Sequence, residues 1–195
     1  MPVYAPQMRT KLARSAFQLF SNRGIRNVNL DEVAAHAGVT KGSLYWHYKS
    51  KKEVILAACD YYYRRWQRRA HAEIANGADP MDQLRRVLRF SVQSCLFDRA
   101  NRVFTSEVLA LSLQDDEILA GWARFYDVVR DLLIGLLQAA CDEGQLRVAD
   151  PRRSVDWMMA TIEGIKQRAS FEPEICTPDQ REMLVQGLVH IVTTA

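Results

Sequence analysis

The stretch that decides the fold is DEVAAHAGVTKGSLYWHY, residues 31–48. Its first part, residues 31–37, has the composition and length of a short helix. A Gly38-Val39 connection separates it from a second short helix predicted at 40–48. Two short helices joined by a turn of about three or four residues that contains glycine form a helix-turn-helix arrangement. The sequence therefore predicts this motif near the N-terminus.

Polar side chains at the predicted helix starts support this assignment. Asn29, with Glu32 three residues later, forms an asparagine version of the capping box, in which the Asn29 side chain accepts a free backbone N–H. Ser50 and Glu53 repeat the pattern and open a long fourth helix, predicted at 51–76. We therefore expect three helices up to about residue 50 and a connecting helix after them.

The rest of the chain has the apolar spacing of helices, with no alternating strand pattern. Asp79, Asp150 and Thr177 each precede a proline, which places a capping side chain before a proline at the first helical position. The sequence therefore predicts an all-α fold of about nine helices. They are expected at about 9–23, 29–38, 40–48, 51–76, 80–97, 101–113, 116–142, 151–170 and 178–193.

The net charge of +3 conceals an uneven distribution. Residues 1–70 carry 13 Lys and Arg against 4 Asp and Glu, whereas residues 71–195 carry 13 against 19. A basic end on an acidic body suggests that one end meets a polyanion, and nucleic acid or an anionic membrane surface both fit. We expect no membrane binding at physiological salt and, because the N-terminus lacks an apolar signal core, a cytoplasmic location.

Known motifs of enzymes and metal sites are missing from the sequence. It contains no GxGxxG, GxxxxGK[ST], GxSxG or HExxH motif, and its four histidines are scattered. The four cysteines lie far apart with no CxxC pair, so we expect small buried side chains, with a thiol redox sensor as the alternative. No catalysis, cofactor or metal site is predicted.

The outward side of the second short helix carries hydrogen-bond donors and flat rings. Thr40 and Lys41 lie at its N-terminus, where free N–H groups and the helix dipole favour phosphate. Ser43 and Trp46, about one turn apart, are placed to contact base edges in a major groove. A merely solvated helix face is the alternative, but the glycine turn, the caps and the basic setting together favour DNA. The predicted DNA-binding residues are Asn29, Thr40, Lys41, Gly42, Ser43, Tyr45, Trp46, His47 and Lys51.

Residues 12–55, LARSAFQLFSNRGIRNVNLDEVAAHAGVTKGSLYWHYKSKKEVI, resemble the DNA-binding domain of the TetR family of bacterial transcription regulators. The most specific part is AGVTKGSLYWHYKSKKEV, residues 37–54, which is similar to the family's turn, recognition helix and start of the fourth helix. Two positions depart from the family pattern. Many members carry Tyr or a smaller residue in place of Trp46, and a pair of threonines often replaces Val28-Asn29.

The resemblance implies an all-α homodimer with two regions in each chain. In the family, three N-terminal helices bind DNA, while a helical C-terminal domain dimerises and holds a small-molecule effector whose binding moves the fourth helix. The implied domains are a helix-turn-helix domain at 1–50 and a ligand-binding and dimerisation domain at 51–195. The implied function is a ligand-responsive regulator, in the usual case a repressor released from a palindromic operator on double-stranded DNA. The alternative is control by a protein partner or by cysteine oxidation.

The C-terminal part offers candidates for both remaining roles. The last two predicted helices are apolar on more than one side, which suggests a partner subunit as well as a core. Glu107 and Glu163 each lie in an apolar stretch, where a carboxylate could orient a ligand, although a solvated or ion-paired acid is the alternative. The predicted ligand-binding residues, for which core packing is the alternative, are Tyr62, Trp66, Phe90, Phe104, Glu107, Trp122, Phe125, Tyr126 and Met158. The predicted dimer-interface residues are Trp157, Thr161, Gly164, Leu184, Leu188, Val189 and Val192.

Overall fold

The structure is a computed structural model that describes residues 4–194 of the chain. The described residues form nine α-helices and no strand, which confirms the predicted all-α fold. A π-helical turn, Gln93–Phe97, follows α5, and two 3₁₀ turns, Pro173–Ile175 and Pro178–Gln180, precede α9. The helices are α1 Tyr4–Arg23, α2 Leu30–His36, α3 Lys41–His47, α4 Lys51–Ala75, α5 Pro80–Val92, α6 Arg99–Ser112, α7 Asp116–Asp142, α8 Pro151–Arg168 and α9 Arg181–Thr194.

The helices group into two compact units. The first unit comprises Met1–Gln67 and Arg99–Trp122, and the second comprises Arg68–Asp98 and Ala123–Ala195. This division differs from the domains predicted at 1–50 and 51–195, because α6 packs against α1 and therefore belongs with the N-terminal helices. None of the described helices combines the length and the apolar character that a membrane span requires.

The first three helices pack around a small apolar core. Leu12 and Phe20 of α1, Val33 of α2 and Leu44 of α3 are all fully buried. Each of these four side chains removes apolar surface from water, and burial of one such side chain stabilises a fold by about 1.5–3 kcal/mol. A short helix like α3, with seven residues, depends on this packing because it is too short to be stable alone.

Local hydrogen bonds fix where these helices begin. The Asn29 side chain accepts from the Glu32 backbone N–H at 2.9 Å, and Glu32 accepts from the Asn29 N–H at 2.8 Å, which confirms the predicted capping box. The Thr40 hydroxyl accepts from the Ser43 N–H at 3.2 Å. Gly38 connects the two helices with φ +63°, a left-handed conformation that glycine adopts without steric cost.

An aromatic cluster joins α1, α4 and α6 within the first unit. The Phe17 ring meets the Phe104 ring edge-on at 5.0 Å and stacks with the Tyr62 ring at 6.0 Å. The Tyr62 and Phe104 rings lie 5.8 Å apart. Such ring pairs contribute roughly 0.5–1.5 kcal/mol each beyond their buried area. Tyr62 and Phe104, two of the predicted ligand-binding residues, therefore take part in core packing.

The second unit is built around apolar residues of α5, α7, α8 and α9. The predicted helix at 80–97 is α5 followed by the π-helical turn, which the Asp98 N–H closes onto the Gln93 carbonyl at 2.9 Å. The predicted helix at 178–193 is a 3₁₀ turn followed by α9, because Thr177 and Gln180 form a tight turn first. The buried core residues are Leu84, Val87, Leu88, Val92, Leu96, Leu133, Leu136, Leu137, Val155, Met158, Met159, Ile162, Val185, Leu188, Val189 and Val192.

The last of these core residues correct part of the predicted dimer interface. Leu188, Val189 and Val192 are only 2%, 8% and 1% exposed, so they face the interior of the second unit and not a partner. The reason is that α9 packs on both α5 and α8, which covers one of its two apolar sides within the chain. Trp157, by contrast, is 53% exposed on α8.

Candidate nucleic-acid interface

Helix α3 presents one side to the core and the other to solvent. Leu44 is fully buried, while Lys41, Gly42 and Tyr45 are exposed and Trp46 is 69% exposed. An exposed indole combines an apolar ring with an N–H donor, which suits contact with a partner surface. The predicted outward side of α3 is therefore the outward side in the structure.

His47 lies at the end of α3 and is held there by its neighbours. Its ring meets the Trp46 ring edge-on at 4.6 Å, and its backbone carbonyl accepts from the Arg9 guanidinium at 2.9 Å. Partial burial and the Arg9 charge lower the pKa of His47 below its ordinary value. The ring is therefore neutral at pH 7, where it acts as a hydrogen-bonding group and not as a cation.

The position of α3 is fixed from its C-terminal end by α1. The Arg9 guanidinium lies 4.5 Å from the centre of the Tyr48 ring, and the Tyr48 hydroxyl donates to the Arg9 carbonyl at 3.2 Å. Burial raises the pKa of Tyr48, so the hydroxyl keeps its proton and remains a donor. This link joins residues 39 positions apart, so local sequence patterns do not reveal it.

Lys41 is held in place by an acidic neighbour on α2. Its ammonium donates to the Asp31 carboxylate at 2.8 Å and lies 5.8 Å from the centre of the Tyr45 ring. The hydrogen bond to Asp31 raises the pKa of Lys41, so the side chain stays charged. Because this ion pair is exposed to solvent, a phosphate oxygen can replace the Asp31 carboxylate at little cost.

A basic groove runs along the side of α3. It has a volume of about 640 Å³ and is open to solvent. Four of its lining residues are cations, Arg26, Lys41, Lys49 and Lys51, whereas Asp31 is its one acid. Its lining residues are Arg26, Asn27, Val28, Asn29, Leu30, Asp31, Lys41, Tyr45, Lys49, Ser50 and Lys51. This composition suits the negatively charged backbone of a nucleic acid.

The basic groove contains both predicted and unpredicted residues. The predicted residues Asn29, Lys41, Tyr45 and Lys51 lie together in its lining, whereas the predicted Thr40, Gly42, Ser43, Trp46 and His47 do not line it. Arg26 and Lys49 were missed. Both are basic residues just outside the helix-turn-helix motif. Arg26 lies in the turn before α2 and Lys49 in the turn after α3, and these two turns meet in the structure.

Lys51 projects from the start of α4 into the basic groove. Its ammonium donates to the Arg26 carbonyl at 3.4 Å. Burial lowers the pKa of Lys51, while the negative charges of Glu107 and Glu32 oppose that shift. An ammonium in this lining can form a charge-assisted hydrogen bond with a phosphate oxygen.

The predicted ligand-binding residues are divided between the two units. Tyr62, Trp66, Phe104, Glu107 and Trp122 belong to the first unit, and Phe90, Phe125, Tyr126 and Met158 belong to the second. In the first unit, the Trp122 ring lies 6.2 Å from the Tyr63 ring. In the second, Met158 is fully buried in the core.

The two acids that the sequence analysis singled out both have partners in the protein. Glu107 on α6 accepts the backbone N–H of Ile25 at 2.5 Å. Glu163 accepts from the ammonium of Lys166 at 2.8 Å on the same helix. Lys166 is only 1% exposed, so its pairing with Glu163 offsets the cost of burying its charge.

The thiols give little support to a redox sensor. Burial raises the pKa of Cys59 to about 12, and burial likewise raises the pKa of Cys95 to about 12. Because the thiolate is the reactive form, these two side chains are unreactive near pH 7. Within residues 4–194, no group of three or more His, Cys, Asp or Glu side chains is arranged to hold a metal ion.

Two family models match most of the chain. One, described as bacterial regulatory proteins of the tetR family, matches residues 12–58. The other, described as the C-terminal region of BetI-type transcriptional repressors, matches residues 80–192. The first therefore covers α2, α3 and the basic groove, and the second covers α5 to α8 and most of α9.

Curated relatives are transcriptional regulators. The chain is 27% identical over 176 residues to TtgR of Pseudomonas putida, covering 87% of this chain and 83% of the relative. It is 24% identical over 179 residues to AcrR of Shigella flexneri, covering 87% and 81%. It is 32% identical over 56 residues to YerO of Bacillus subtilis, an uncharacterised regulator, but this match spans only 29% of this chain and 19% of the relative.

Solved structures share the fold along nearly the whole chain. A TetR-family regulator from Rhodococcus sp. superposes with a TM-score of 0.79 at 27% identity, covering 97% of this chain and 100% of that one. A regulator from Saccharomonospora viridis, solved in complex with choline, superposes with a TM-score of 0.83 at 20% identity and covers 97% of both chains.

Proposed function

Because the chain belongs to the TetR family of bacterial transcription regulators, we propose that it is a ligand-responsive repressor that leaves a palindromic operator when a small molecule binds its C-terminal region. The observation that carries the proposal is α3 itself, a helix with one buried anchor and a 69% exposed tryptophan beside the basic groove. We place its action in the cytoplasm, where bacterial DNA lies.

The proposed contacts with DNA divide into two kinds. Ser43 and Trp46 on α3 contact base edges in the major groove, and their identity sets the preferred sequence. Lys41, Lys51 and Asn29 in the basic groove contact phosphates and set the position of the protein on the duplex. Thr40, Gly42, Tyr45 and His47 complete the proposed surface, and we add Arg26 and Lys49 to it because they line the basic groove.

We propose that the protein acts as a homodimer through the exposed sides of α8 and α9. Trp157 and Gly164 are exposed on α8, and the half-buried Thr161 lies between them. On α9, the half-buried Leu184 lies beside the exposed Gly187. A methyl group added at Gly164 or Gly187 would meet nothing within 4 Å, so a second helix can approach closely there. A dimer of this kind would place two α3 helices about 34 Å apart, one turn of DNA.

The proposed effector is a small molecule held by aromatic side chains. Two separate sets of candidates from the sequence remain, Trp66 and Trp122 in the first unit, and Phe125 and Tyr126 in the second. Glu107 is removed from this set, because its carboxylate accepts a backbone hydrogen bond. One neighbour of the same fold was solved with choline, and aromatic faces bind such quaternary ammonium ions. Organic cations therefore belong in the first ligand panel.

The alternative is a regulator controlled by a protein partner or by cysteine oxidation. Oxidation is the weaker of the two, because the thiols of Cys59 and Cys95 are buried with raised pKa values. Cys141 and Cys176 are half-buried, so the oxidation test should be made on them. Peroxide that changes DNA affinity in the wild type but not in a Cys141→Ser, Cys176→Ser variant would favour the alternative.

The central experiment measures binding to the DNA upstream of the protein's own gene. We expect fluorescence anisotropy to show saturable binding at low salt, with an affinity that falls steeply as salt rises. A compound that raises the thermal midpoint of the free protein should lower the protein's affinity for DNA. By reciprocity, DNA should lower the protein's affinity for that compound by the same factor. A dimer that ignores every promoter fragment at low ionic strength would refute the proposal.

A further inference from the structure

The turn between α1 and α2 forms one wall of the basic groove. Four residues of this turn, 26–29, line the groove, so the path of their backbone decides where Arg26 and Asn29 present their side chains. The turn has no regular secondary structure to hold it. Whatever fixes it therefore also fixes half of the proposed phosphate-binding surface.

A carboxylate from a distant helix fixes the start of this turn. Glu107 on α6 accepts the backbone N–H of Ile25 at 2.5 Å, across 82 residues of sequence. Ile25 is only 2% exposed, so this N–H has little access to water as an alternative partner. A buried backbone N–H is costly to leave without an acceptor, so the Glu107 oxygen holds this point of the turn in place.

Gly24 is the residue that lets the carboxylate approach. Its φ of +83° lies in the left-handed region, and its N–H still donates to the Phe20 carbonyl at 2.9 Å to close α1. A Cβ at this position would lie 2.5 Å from Glu107 Oε1, closer than any real contact. Gly24 therefore allows the conformation of the turn and also leaves the space that the Glu107 carboxylate occupies.

The remaining bonds of the turn connect it to the neighbouring helices. Arg23 at the end of α1 donates to the Asn27 carbonyl at 3.2 Å and to Glu32 of α2 at 2.7 Å. Lys51 of α4 donates to the Arg26 carbonyl at 3.4 Å, and the Glu107 charge acts on Lys51 as well. Glu107 is the contact that reaches this network from α6.

We infer that Glu107 is a positioning residue for DNA binding, which acts through the Ile25 N–H to hold the wall of the basic groove in its phosphate-binding shape. This inference rests on the proposed function, because it gives Glu107 of α6 a role in DNA binding. It also reassigns the acid that the sequence predicted as a ligand anchor. The reach of the side chain matters for this role, and its charge matters less.

Two conservative variants separate reach from charge. Glu107→Gln keeps the length of the side chain and an oxygen that can accept the Ile25 N–H, but removes the charge. Glu107→Asp keeps the charge and shortens the side chain by one methylene, which moves the oxygens out of hydrogen-bond distance. Glu117→Gln is the matched control, because Glu117 is an exposed acid of the same unit that pairs with Lys52 and does not contact the turn.

The experiment uses the full-length protein and an operator fragment, with two readouts. We expect Glu107→Asp to weaken operator binding by about tenfold, because binding must then order a wall of the basic groove that is no longer held in shape. Glu107→Gln and Glu117→Gln should stay within about twofold of the wild type. The salt dependence of Glu107→Asp should also become shallower, by about one phosphate contact. Hydrogen exchange should accelerate at the Ile25 amide in Glu107→Asp alone.

The opposite order of the variants would overturn the inference. If Glu107→Gln weakened binding as much as Glu107→Asp, or more, the charge and not the hydrogen bond would be responsible. Equal binding by all variants with unchanged exchange at Ile25 would also overturn it. If Glu107→Asp does not fold, wild-type binding and wild-type Ile25 protection in Glu107→Gln support the inference, and loss of either overturns it. A wild type that binds no duplex refutes the proposed function, whereas the Ile25 exchange then still tests the hydrogen bond.

Discussion

Helices α3 and α9 are both amphipathic, yet only one of them could be oriented from its sequence. In α3, a single apolar anchor, Leu44, is buried, and nearly everything else on the helix is polar or aromatic and faces outward. In α9, apolar side chains occupy two sides, and the structure buries the side that carries Leu188. Hydrophobic pattern assigns a face when one side is polar. It cannot choose between a core and a partner when both sides are apolar.

The largest expected effect tests which side of α9 is core. Replacing the buried Leu188 with Ala should destabilise the protein by about 2–5 kcal/mol, because it removes a packed side chain and leaves a cavity. Met183, on the same helix and 62% exposed, is the matched control, and Met183→Ala should change stability by less than about 0.5 kcal/mol. Urea unfolding of both variants measures the difference. Equal effects would contradict this assignment, and a larger effect of Met183→Ala would mean that the two sides of α9 are assigned the wrong way round.

The same contrast explains how much of the molecule the sequence could predict. The capping box at Asn29 and the glycine turn at Gly38 were predicted because their causes lie within a few residues. The bond between Glu107 and Ile25 was not, because its partners meet only after α6 folds against α1. An acid in an apolar stretch signals a partner, but the stretch itself does not say whether that partner is a ligand or the backbone.

The next effect concerns the exposed side of α8. Trp157→Glu should leave the fold of the protomer intact, because the ring is 53% exposed, but it should weaken the proposed dimer by 2 kcal/mol or more, about thirtyfold. Sedimentation equilibrium over a range of concentrations measures this shift. Arg152→Glu, an exposed change near the start of the same helix, serves as the control for added charge. A Trp157→Glu protein that dimerises like the wild type would place the interface elsewhere.

A smaller effect is expected on α3, where stability and binding should separate. Trp46→Ala should leave the urea midpoint almost unchanged, because the ring is mostly in water. It should cost about 1–3 kcal/mol of discrimination between operator and mutated operator, since the residue is proposed to contact bases. Lys49→Ala, in the basic groove, should instead weaken binding to all sequences alike and make the salt dependence shallower. If Trp46→Ala bound every sequence as the wild type does, α3 would not lie in the major groove of DNA as proposed.

The smallest effect comes from His47, and it should act on stability and on binding with opposite signs. Partial burial and the Arg9 charge hold its pKa below the ordinary 6.5, so the unfolded chain takes up the proton more readily than the folded one. Stability from this residue is therefore complete above about pH 6.5 and declines as the pH falls through that value and toward the lowered pKa.

Binding should move the other way as the pH falls, because a protonated His47 adds a cation to a surface proposed to face phosphate. Urea midpoints and operator affinities at pH 7.5 and pH 5.5, compared between the wild type, His47→Gln and the exposed control His36→Gln, measure both trends. The wild type and His36→Gln should lose a little stability and gain a little affinity on acidification relative to His47→Gln. Parallel changes in all three proteins would assign the pH dependence to other groups and leave His47 as a packing residue at the end of α3.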